Sequence, residues 1–374
     1  KLLVGGYSTI SLGYAGLYEC VKYMTGHSHT EKEGTPFAMA VMQRMNDIQL
    51  HRGPDESGYH FEPGVALAHR RLSIIDISSG QQPLFNEDES VVVVFNGEIY
   101  NFQELIPELT ALGHRFHTRS DTEVIVHAWE SWGEACVERF RGMFAFALWD
   151  RNRQTFFMAR DRMGVKPMYY AILDDGTLMF GSELKVLMQH PGLDRSMDPL
   201  AVEEYFALGY VAEPRTIFSG ARKLEPGFSL CIRHGQPVPE PKPYWDVRFT
   251  LDNKVSLADA QAEMVERLRE SVRLRMVAEV PLGAFLSGGV DSSAVVATMA
   301  GLSSEPVNTC SIAFDDPAFN ESAFAQMVAD RYKTNHRVET VQSDDFDLID
   351  TLAALYDEPY ADSSAIPTYR VSQL

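Results

Sequence analysis

Val280-Pro281-Leu282-Gly283-Ala284-Phe285-Leu286-Ser287-Gly288-Gly289-Val290-Asp291-Ser292-Ser293 is the stretch that decides the fold of the second half of this chain. It reads as a short apolar strand, a Ser-Gly-Gly turn, and Asp-Ser-Ser opening a helix over Ala294–Met299. Two adjacent glycines let the backbone approach a ligand closely and take positive φ without a Cβ penalty. Consecutive N–H groups, with the positive end of a helix behind them, make an anion cradle suited to phosphate. No Gly-Lys-Ser/Thr follows the glycines, so this is not a Walker A loop. The competing reading is a plain strand–turn–helix corner that binds nothing.

The sequence on either side favours an alternating pattern. Leu257 to Val277 is a long amphipathic helix, with Ala258, Ala262, Val265, Leu268, Val272 and Met276 near helical spacing. After the loop come a strand over Val307–Phe314, a helix over Glu321–Tyr332, a strand over Arg337–Val341 and a helix over Asp345–Leu355. Such alternation predicts an α/β domain with a doubly wound parallel sheet, whose ligands sit at the carboxyl ends of its strands. The strands are too few for a complete sheet of that kind, so the domain reads as truncated before Leu374 closes it.

Upstream the texture differs. Residues 236–255 read as a linker, because Pro237, Pro239, Pro241 and Pro243 resist regular packing. Between Asp47 and that linker, strands are predicted at Gly64–His69, Ser90–Phe95, Met143–Trp149, Thr155–Arg160, Met168–Ile172 and Leu178–Gly181. Asn96-Gly97 reads as a turn, Ile99–Leu112 as a helix, and Ser120-Asp121-Thr122-Glu123 as the start of another. Hairpin-joined strands with helices between them imply an α+β layered domain of antiparallel sheets. Residues 1–43 are unlike the rest of the chain. Ser11–Met24 has helical character, and a second helix starts at Thr35-Pro36 and runs through Met39, Met42 and Met45. The predicted organisation is therefore an atypical segment 1–43, a first domain 44–235, the linker, and a second domain 256–374.

A chain of 374 residues can bury two cores. Its 45% apolar and 23% charged residues are ordinary for a soluble globular protein. The net charge of −19 argues against nucleic acid or an anionic membrane as main partner. No apolar run has the length of a membrane span, and Leu2-Leu3-Val4 is too short for a signal-peptide core. Cys20, Cys136, Cys231 and Cys310 lack CxxC spacing. A reducing cytoplasm is expected, with neither a disulfide framework nor a metal-ligand set.

Several motifs occur in order: His51-Arg52-Gly53-Pro54-Asp55, Arg71-Leu72-Ser73-Ile74-Ile75-Asp76, Phe95-Asn96-Gly97-Glu98-Ile99-Tyr100-Asn101, Ser120-Asp121-Thr122-Glu123 and Arg141-Gly142-Met143-Phe144-Ala145-Phe146-Ala147. With the Ser-Gly-Gly-Val-Asp-Ser loop after them, this set resembles the glutamine-hydrolysing asparagine synthetases over residues 44–374. The resemblance implies an N-terminal-nucleophile glutaminase domain joined to an ATP-pyrophosphatase domain. Glutamine is hydrolysed in the first, and its ammonia passes internally to an aspartyl adenylate in the second. Implied substrates are glutamine, aspartate and ATP with Mg2+, and the resemblance admits a homodimer.

The resemblance also implies site residues. Arg71 takes the carboxylate of glutamine as a planar fork, Leu72, Ser73, Ile74 and Ile75 line its site, and Asp121 with Glu98 takes the amine. Local readings compete: a surface salt bridge for Arg71, a helix N-cap for Asp121. Asn96 and the Gly97 N–H would form an oxyanion hole, against a plain Asn-Gly hairpin. Arg52 would order the nucleophile's surroundings or pair with Asp55. In the second domain Ser287, Gly288, Gly289, Asp291 and Ser292 match the pyrophosphate loop, and Leu286 and Ile312 flank adenine. Asp362, Ser363 and Ser364 fall where the family contacts the acyl-adenylate, against an Asx-type turn.

Three departures from the family pattern stand out. The family's nucleophile is a cysteine that heads the mature chain, whereas this sequence starts with Lys1 and has upstream only Cys20, inside a helical pattern. The family's further Ser-Gly-Asp/Glu-Gly loop would lie past Leu374. The piece Ser8–Gly26 resembles instead a segment of anaerobic ribonucleotide reductase, without that family's radical site. A glutaminase-defective asparagine synthetase relative is expected. Alternatives are an amidotransferase for another carboxylate, like those of exopolysaccharide clusters or β-lactam synthetases, and a non-catalytic ligand-binding remnant.

Overall fold

The computed structural model describes residues 10–14, 35–249, 255–318, 320–341 and 348–374. The chain forms two compact units: one runs up to Asp246 and includes Tyr356–Ala361, and the other comprises Val247–Leu355 and Asp362–Leu374.

Two six-stranded sheets make the centre of the first unit. One holds, side by side, β2 (Glu56–Glu62), β3 (Val65–Arg71), β1 (Ile10–Tyr14), β9 (Leu178–Gly181), β8 (Tyr169–Ile172) and β10 (Arg222–Lys223). The other holds β4 (Leu84–Phe85), β5 (Val91–Ile99), β6 (Gly142–Asp150), β7 (Thr155–Arg160), β11 (Phe228–Arg233) and β12 (Lys242–Pro243). Neighbouring strands are antiparallel throughout.

Period-two alternation assigns the faces. Val92 and Val94 of β5, Ala145 and Ala147 of β6, and Val65 and Leu67 of β3 meet in one core between the sheets. Ala66 and Ala68 of β3 point the other way, onto Met42 and Met45 of the helix Thr35–Asp47 and Leu184 and Leu187 of the helix Leu184–Leu187. Beyond the second sheet, Trp129 of the helix Glu123–Trp132 stacks on Phe157 with ring centroids 4.9 Å apart. The layers thus run helix, sheet, sheet, helix. A valine run buried on both faces is what a central strand of such a sandwich requires. Met42 and Met45 are 0% and 2% exposed, and each contributes about 1.5–3 kcal/mol by burial.

Four local expectations change. Residues 11–14 form part of β1, between β3 and β9, where the sequence suggests a helix; the rest of the Ser11–Met24 span lies outside the described residues. Asn96-Gly97 is no turn. It sits inside β5, opposite Ala145 and Phe144, and the helix predicted from Ile99 begins at Phe102. Pairing with β6 continues past the dipeptide and overrides its turn preference. The expected linker is partly docked, because Lys242–Pro243 pairs with β11 and the Tyr244 hydroxyl donates to the Arg160 carbonyl at 2.6 Å. Finally, residue 43 lies inside the helix Thr35–Asp47, which packs into the first unit.

The second unit carries a parallel sheet in the order β13 (Gly283–Phe285), β14 (Asn308–Phe314), β15 (Asn335–Val341). Strands and helices alternate, as the sequence pattern predicts. Ser256 caps the long helix Leu257–Arg275, its hydroxyl accepting the Asp259 N–H at 3.1 Å. Small cores form around Leu286, Val296, Ala325 and Ala329, and around Val272, Met299 and Val307. No described helix is long and apolar enough to cross a membrane.

Candidate functional site

At the end of β5 in the first unit, Arg71, Leu72, Ile74, Ile75, Gly97, Glu98 and Asp121 line one pocket together with Gln82, Phe95, Ser120 and Thr122. Residues distant in sequence are thereby brought together. Two candidates stand back from it. The Ser73 N–H is held by the Asp55 carboxylate at 2.8 Å. Asn96 is fully buried, its side-chain nitrogen 3.4 Å from the Ser182 hydroxyl.

Asp121 is not a helix cap. The first helical residue is Glu123, Thr122 occupies the cap position without a side-chain bond, and Asp121 reaches away to accept the Ile99 N–H at 2.8 Å. Burial pushes its carboxyl up to about 6, against the hydrogen bond from Ile99 that works the other way. A buried carboxylate whose hydrogen bonds do not offset its desolvation favours a cation beside it.

Arg71 is buried too, at 3% exposure, so it is no surface salt bridge. Its Nη2 donates to the Ile75 and Asp76 carbonyls at 3.0 and 2.6 Å, and its Nη1 to the Glu56 carboxylate at 3.0 Å. The fork braces the loop that walls the pocket. Asp76 braces it further by accepting the Ser79 hydroxyl at 2.6 Å and the Arg119 N–H at 2.7 Å. Burial would raise the Asp76 carboxyl, but these donors outweigh it and hold it low.

Three positioning residues have no motif that marks them. Gln82 pairs its amide with Phe95, accepting the N–H at 2.7 Å and donating to the carbonyl at 3.2 Å, as a strand neighbour would. His69 Nε2 also meets the Phe95 carbonyl, at 3.0 Å, and burial drives its pKa down to about 3, so the ring is neutral. Glu183 takes His51 Nε2 and Arg52 Nη1, both at 3.2 Å. Burial would raise this carboxyl; the His51 hydrogen bond and the Arg52 charge lower it overall. The ion pair of Arg52 thus goes to Glu183, while Asp55 serves Ser73. Of the three positioning residues, only His69, a polar residue within the apolar strand β3, carries a signal in the sequence.

At Gly97 φ is +154°, and a Cβ would come within 2.1 Å of the Met143 carbonyl oxygen. The close approach of β6 therefore requires glycine beside Asn96. None of the described cysteines lines the pocket. Cys136 is buried, with its thiol pushed far up by burial; Cys231 is pushed up to about 11, also by burial; Cys310 belongs to the second unit. Cys20 lies outside the described residues.

In the second unit the Ser-Gly-Gly loop joins β13 to the helix Val290–Leu302. The Ser287 and Ser292 hydroxyls lie 3.0 Å apart, and the Gly289 N–H donates to Ser287 Oγ at 3.3 Å. Gly288 has φ +84°, and a Cβ there would lie 2.6 Å from Phe324 Cβ and 2.7 Å from the Ala325 nitrogen. Leu286 is buried beneath the loop, whereas Asp291 is exposed and Ile312 half-buried on β14. A glycine-built turn at a strand's carboxyl end, before a helix with an uncapped N-terminus, fits a phosphate group. Asp362, Ser363 and Ser364 are exposed, and the Asp362 carboxylate accepts the Ser364 N–H at 2.8 Å in an Asx turn.

The chain thus sets a layered antiparallel unit with a buried polar pocket before a parallel-sheet unit with a glycine-built loop, and each unit matches a known domain class. The glutamine amidotransferase domain model matches residues 23–245, and the asparagine synthase model matches residues 263–374. The chain belongs to the asparagine synthetase family.

It is 36% identical over 341 residues to asparagine synthetase (glutamine-hydrolyzing) 1 of Bacillus subtilis, covering 89% of this chain and 52% of that protein. To asparagine synthetase (glutamine-hydrolyzing) 3 of the same organism it is 37% identical over 294 residues, 76% of this chain and 47% of that protein. The amidase chyE of Penicillium rubens is 37% identical over 261 residues, 68% of this chain and 38% of that protein. The chain spans about half the length of the Bacillus relatives. A solved glutamine phosphoribosylpyrophosphate amidotransferase of B. subtilis is 12% identical with a TM-score of 0.44, over 95% of this chain and 94% of that one.

Proposed function

We propose that this chain carries the glutamine site and the pyrophosphate loop of an enzyme that makes asparagine from aspartate, ATP and glutamine, releasing glutamate, AMP and pyrophosphate. The observation that carries the reading is Asp121, a buried carboxylate facing a pocket with Arg71 and Glu98 on its walls. The α-ammonium of glutamine binds Asp121 with Glu98 near it. Its carboxylate takes over the Nη1 contact that Arg71 makes with Glu56. The Gly97 N–H then faces the side-chain amide and, once Asn96 Nδ2 turns from Ser182 toward the pocket, the two stabilise the oxyanion.

In the second unit Ser287, Gly288, Gly289, Asp291 and Ser292 would hold the ATP phosphates, with Leu286 and Ile312 beside adenine; Mg2+ would offset the phosphate charge there. Asp362, Ser363 and Ser364 lie on the acyl-adenylate side. ATP supplies the leaving group that activates the acceptor carboxylate.

Among the described residues no cysteine lines the pocket, and the outcome expected for this chain is glutamine binding without hydrolysis. The test is isothermal titration with glutamine alongside a glutamate-release assay on the purified chain. Binding without release is expected. Release that is abolished by Cys20→Ala overturns the inactive assignment, and absence of binding overturns the glutamine site. An acceptor other than aspartate is a second reading, favoured by an amidase that matches this chain at 37% identity, beside 36% and 37% for the two synthetases. Aspartate-dependent pyrophosphate release separates the two.

A further inference from the structure

We propose that Glu87, His114, His127 and Glu130 form a binding site for one divalent transition-metal ion of the zinc type, set apart from the glutamine pocket and the phosphate loop. His127 and Glu130 lie three residues apart on the helix Glu123–Trp132. Glu87 comes from the turn before β5, and His114 follows the helix Phe102–Ala111. One ligand atom from each lies within 4.8 Å of all the others.

The spacing suits a metal better than a hydrogen-bonded cluster. His114 Nδ1 is 3.4 Å from Glu87 Oε1 and 3.6 Å from Glu130 Oε2. His127 Nδ1 is 3.4 Å from both Glu87 Oε2 and Glu130 Oε2. Charge-assisted hydrogen bonds close to about 2.7–2.9 Å, and none of these four contacts does. A tetrahedron with metal–ligand bonds of about 2.0–2.2 Å has edges of about 3.3–3.6 Å; the contacts of Glu130 Oε2 with both histidines and of His127 Nδ1 with Glu87 Oε2 fall in that range, and all four ligand atoms lie within 4.8 Å of one another. Two imidazoles and two carboxylates are a ligand set that suits zinc.

The far side of each ligand is already held, as metal ligands generally are. His114 Nε2 meets Ser131 Oγ at 2.8 Å, and Glu87 Oε1 accepts the Arg115 N–H at 2.7 Å. Glu130 Oε1 accepts from Asn86 Nδ2 at 2.9 Å. His127 Nε2 faces Glu123 Oε1 at 3.4 Å, and Glu123 is pinned by the His117 and Thr118 N–H groups, each at 2.7 Å. This carboxylate–histidine pairing leaves Nδ1 of His127 as the coordinating nitrogen. His127 has no exposed side-chain surface, whereas Glu87 and Glu130 are about one-quarter exposed and offer the entry path. A bound ion would clip two separate segments, those carrying Glu87 and His114, to the helix Glu123–Trp132, which begins two residues after Asp121.

The experiment is titration of the chelator-stripped full chain with Co2+, followed by its visible ligand-field bands, and with Zn2+ against a chromophoric chelator. One equivalent per chain, tetrahedral Co2+ bands and a zinc-dependent rise in melting temperature are expected. His127→Ala empties a buried position and can unfold the unit, so the deciding variants are the partly exposed Glu87→Gln and His114→Gln. Each is expected to keep the parent circular dichroism and to weaken zinc by roughly 100-fold. No binding at micromolar zinc, or binding that survives both substitutions, overturns the proposal.

Discussion

Replacing Asp121 by asparagine separates what this residue does for the fold from what it does for glutamine. Burial raises its carboxyl from 3.8 to about 6. Below about pH 4 the group is protonated in both the folded and the unfolded chain and adds nothing to the balance. As pH rises the unfolded chain ionises first, so the folded state loses stability between about pH 4 and pH 6 and keeps that deficit above it. A shift of about two units corresponds to about 3 kcal/mol. Asp121→Asn abolishes the titration, while its amide oxygen can still accept the Ile99 N–H. The variant should therefore be more stable than the parent near pH 8, by up to about 3 kcal/mol, with the gap closing toward about pH 4. For a unit of this size that is about 2–4 °C of melting temperature per kcal/mol.

Glutamine reports the opposite. Loss of a charged hydrogen-bond partner costs about 1.5–3 kcal/mol, or roughly 10- to 150-fold in affinity. Parent affinity should also fall as pH drops through about 6, because the free carboxyl must ionise to hold the ammonium. Urea denaturation across pH and calorimetric titration of glutamine read the two effects. An asparagine variant destabilised near pH 8 but not near pH 4 would mean that the charge serves the fold. Unchanged glutamine affinity would remove Asp121 from the site.

Gly288→Ala places a Cβ 2.6 Å from Phe324 Cβ at φ +84°. It should cost about 1–3 kcal/mol in the second unit and abolish ATP binding in a fluorescence titration; wild-type binding by a folded variant would contradict the phosphate assignment. Gln82→Ala strips the Phe95 N–H of its buried acceptor. It should lower stability by about 2 kcal/mol in urea and weaken glutamine as β5 shifts, and a loss below about 0.5 kcal/mol would show that Gln82 does not hold the strand.

Arg71 and Asp121, expected together from the family resemblance, do line one pocket. The Ser-Gly-Gly turn carries its own requirement for glycine, and Arg71 and Asp121 stand in short polar runs between apolar ones. Gln82 and His69 were not readable: each acts on the Phe95 carbonyl, a backbone atom that no side-chain pattern announces. The Glu87, His114, His127 and Glu130 cluster was invisible for a related reason. Only two of its members share an element, so no ligand spacing exists along the chain. Arg71 was legible in position but not in partners, since the loop it braces folds back onto its own guanidinium.

The sequence by itself determined the two-part architecture, the alternation of the parallel sheet, the buried valine strand and the order of the glutamine and phosphate motifs. Those follow from periodicity and from glycine's backbone freedom, which act within a few residues. Only the tertiary structure decided that Asn96-Gly97 continues a strand, that residues 11–14 pair within a sheet, and that Arg52 meets Glu183. In each case a partner distant in sequence supplies hydrogen bonds or charge that outweigh the local preference.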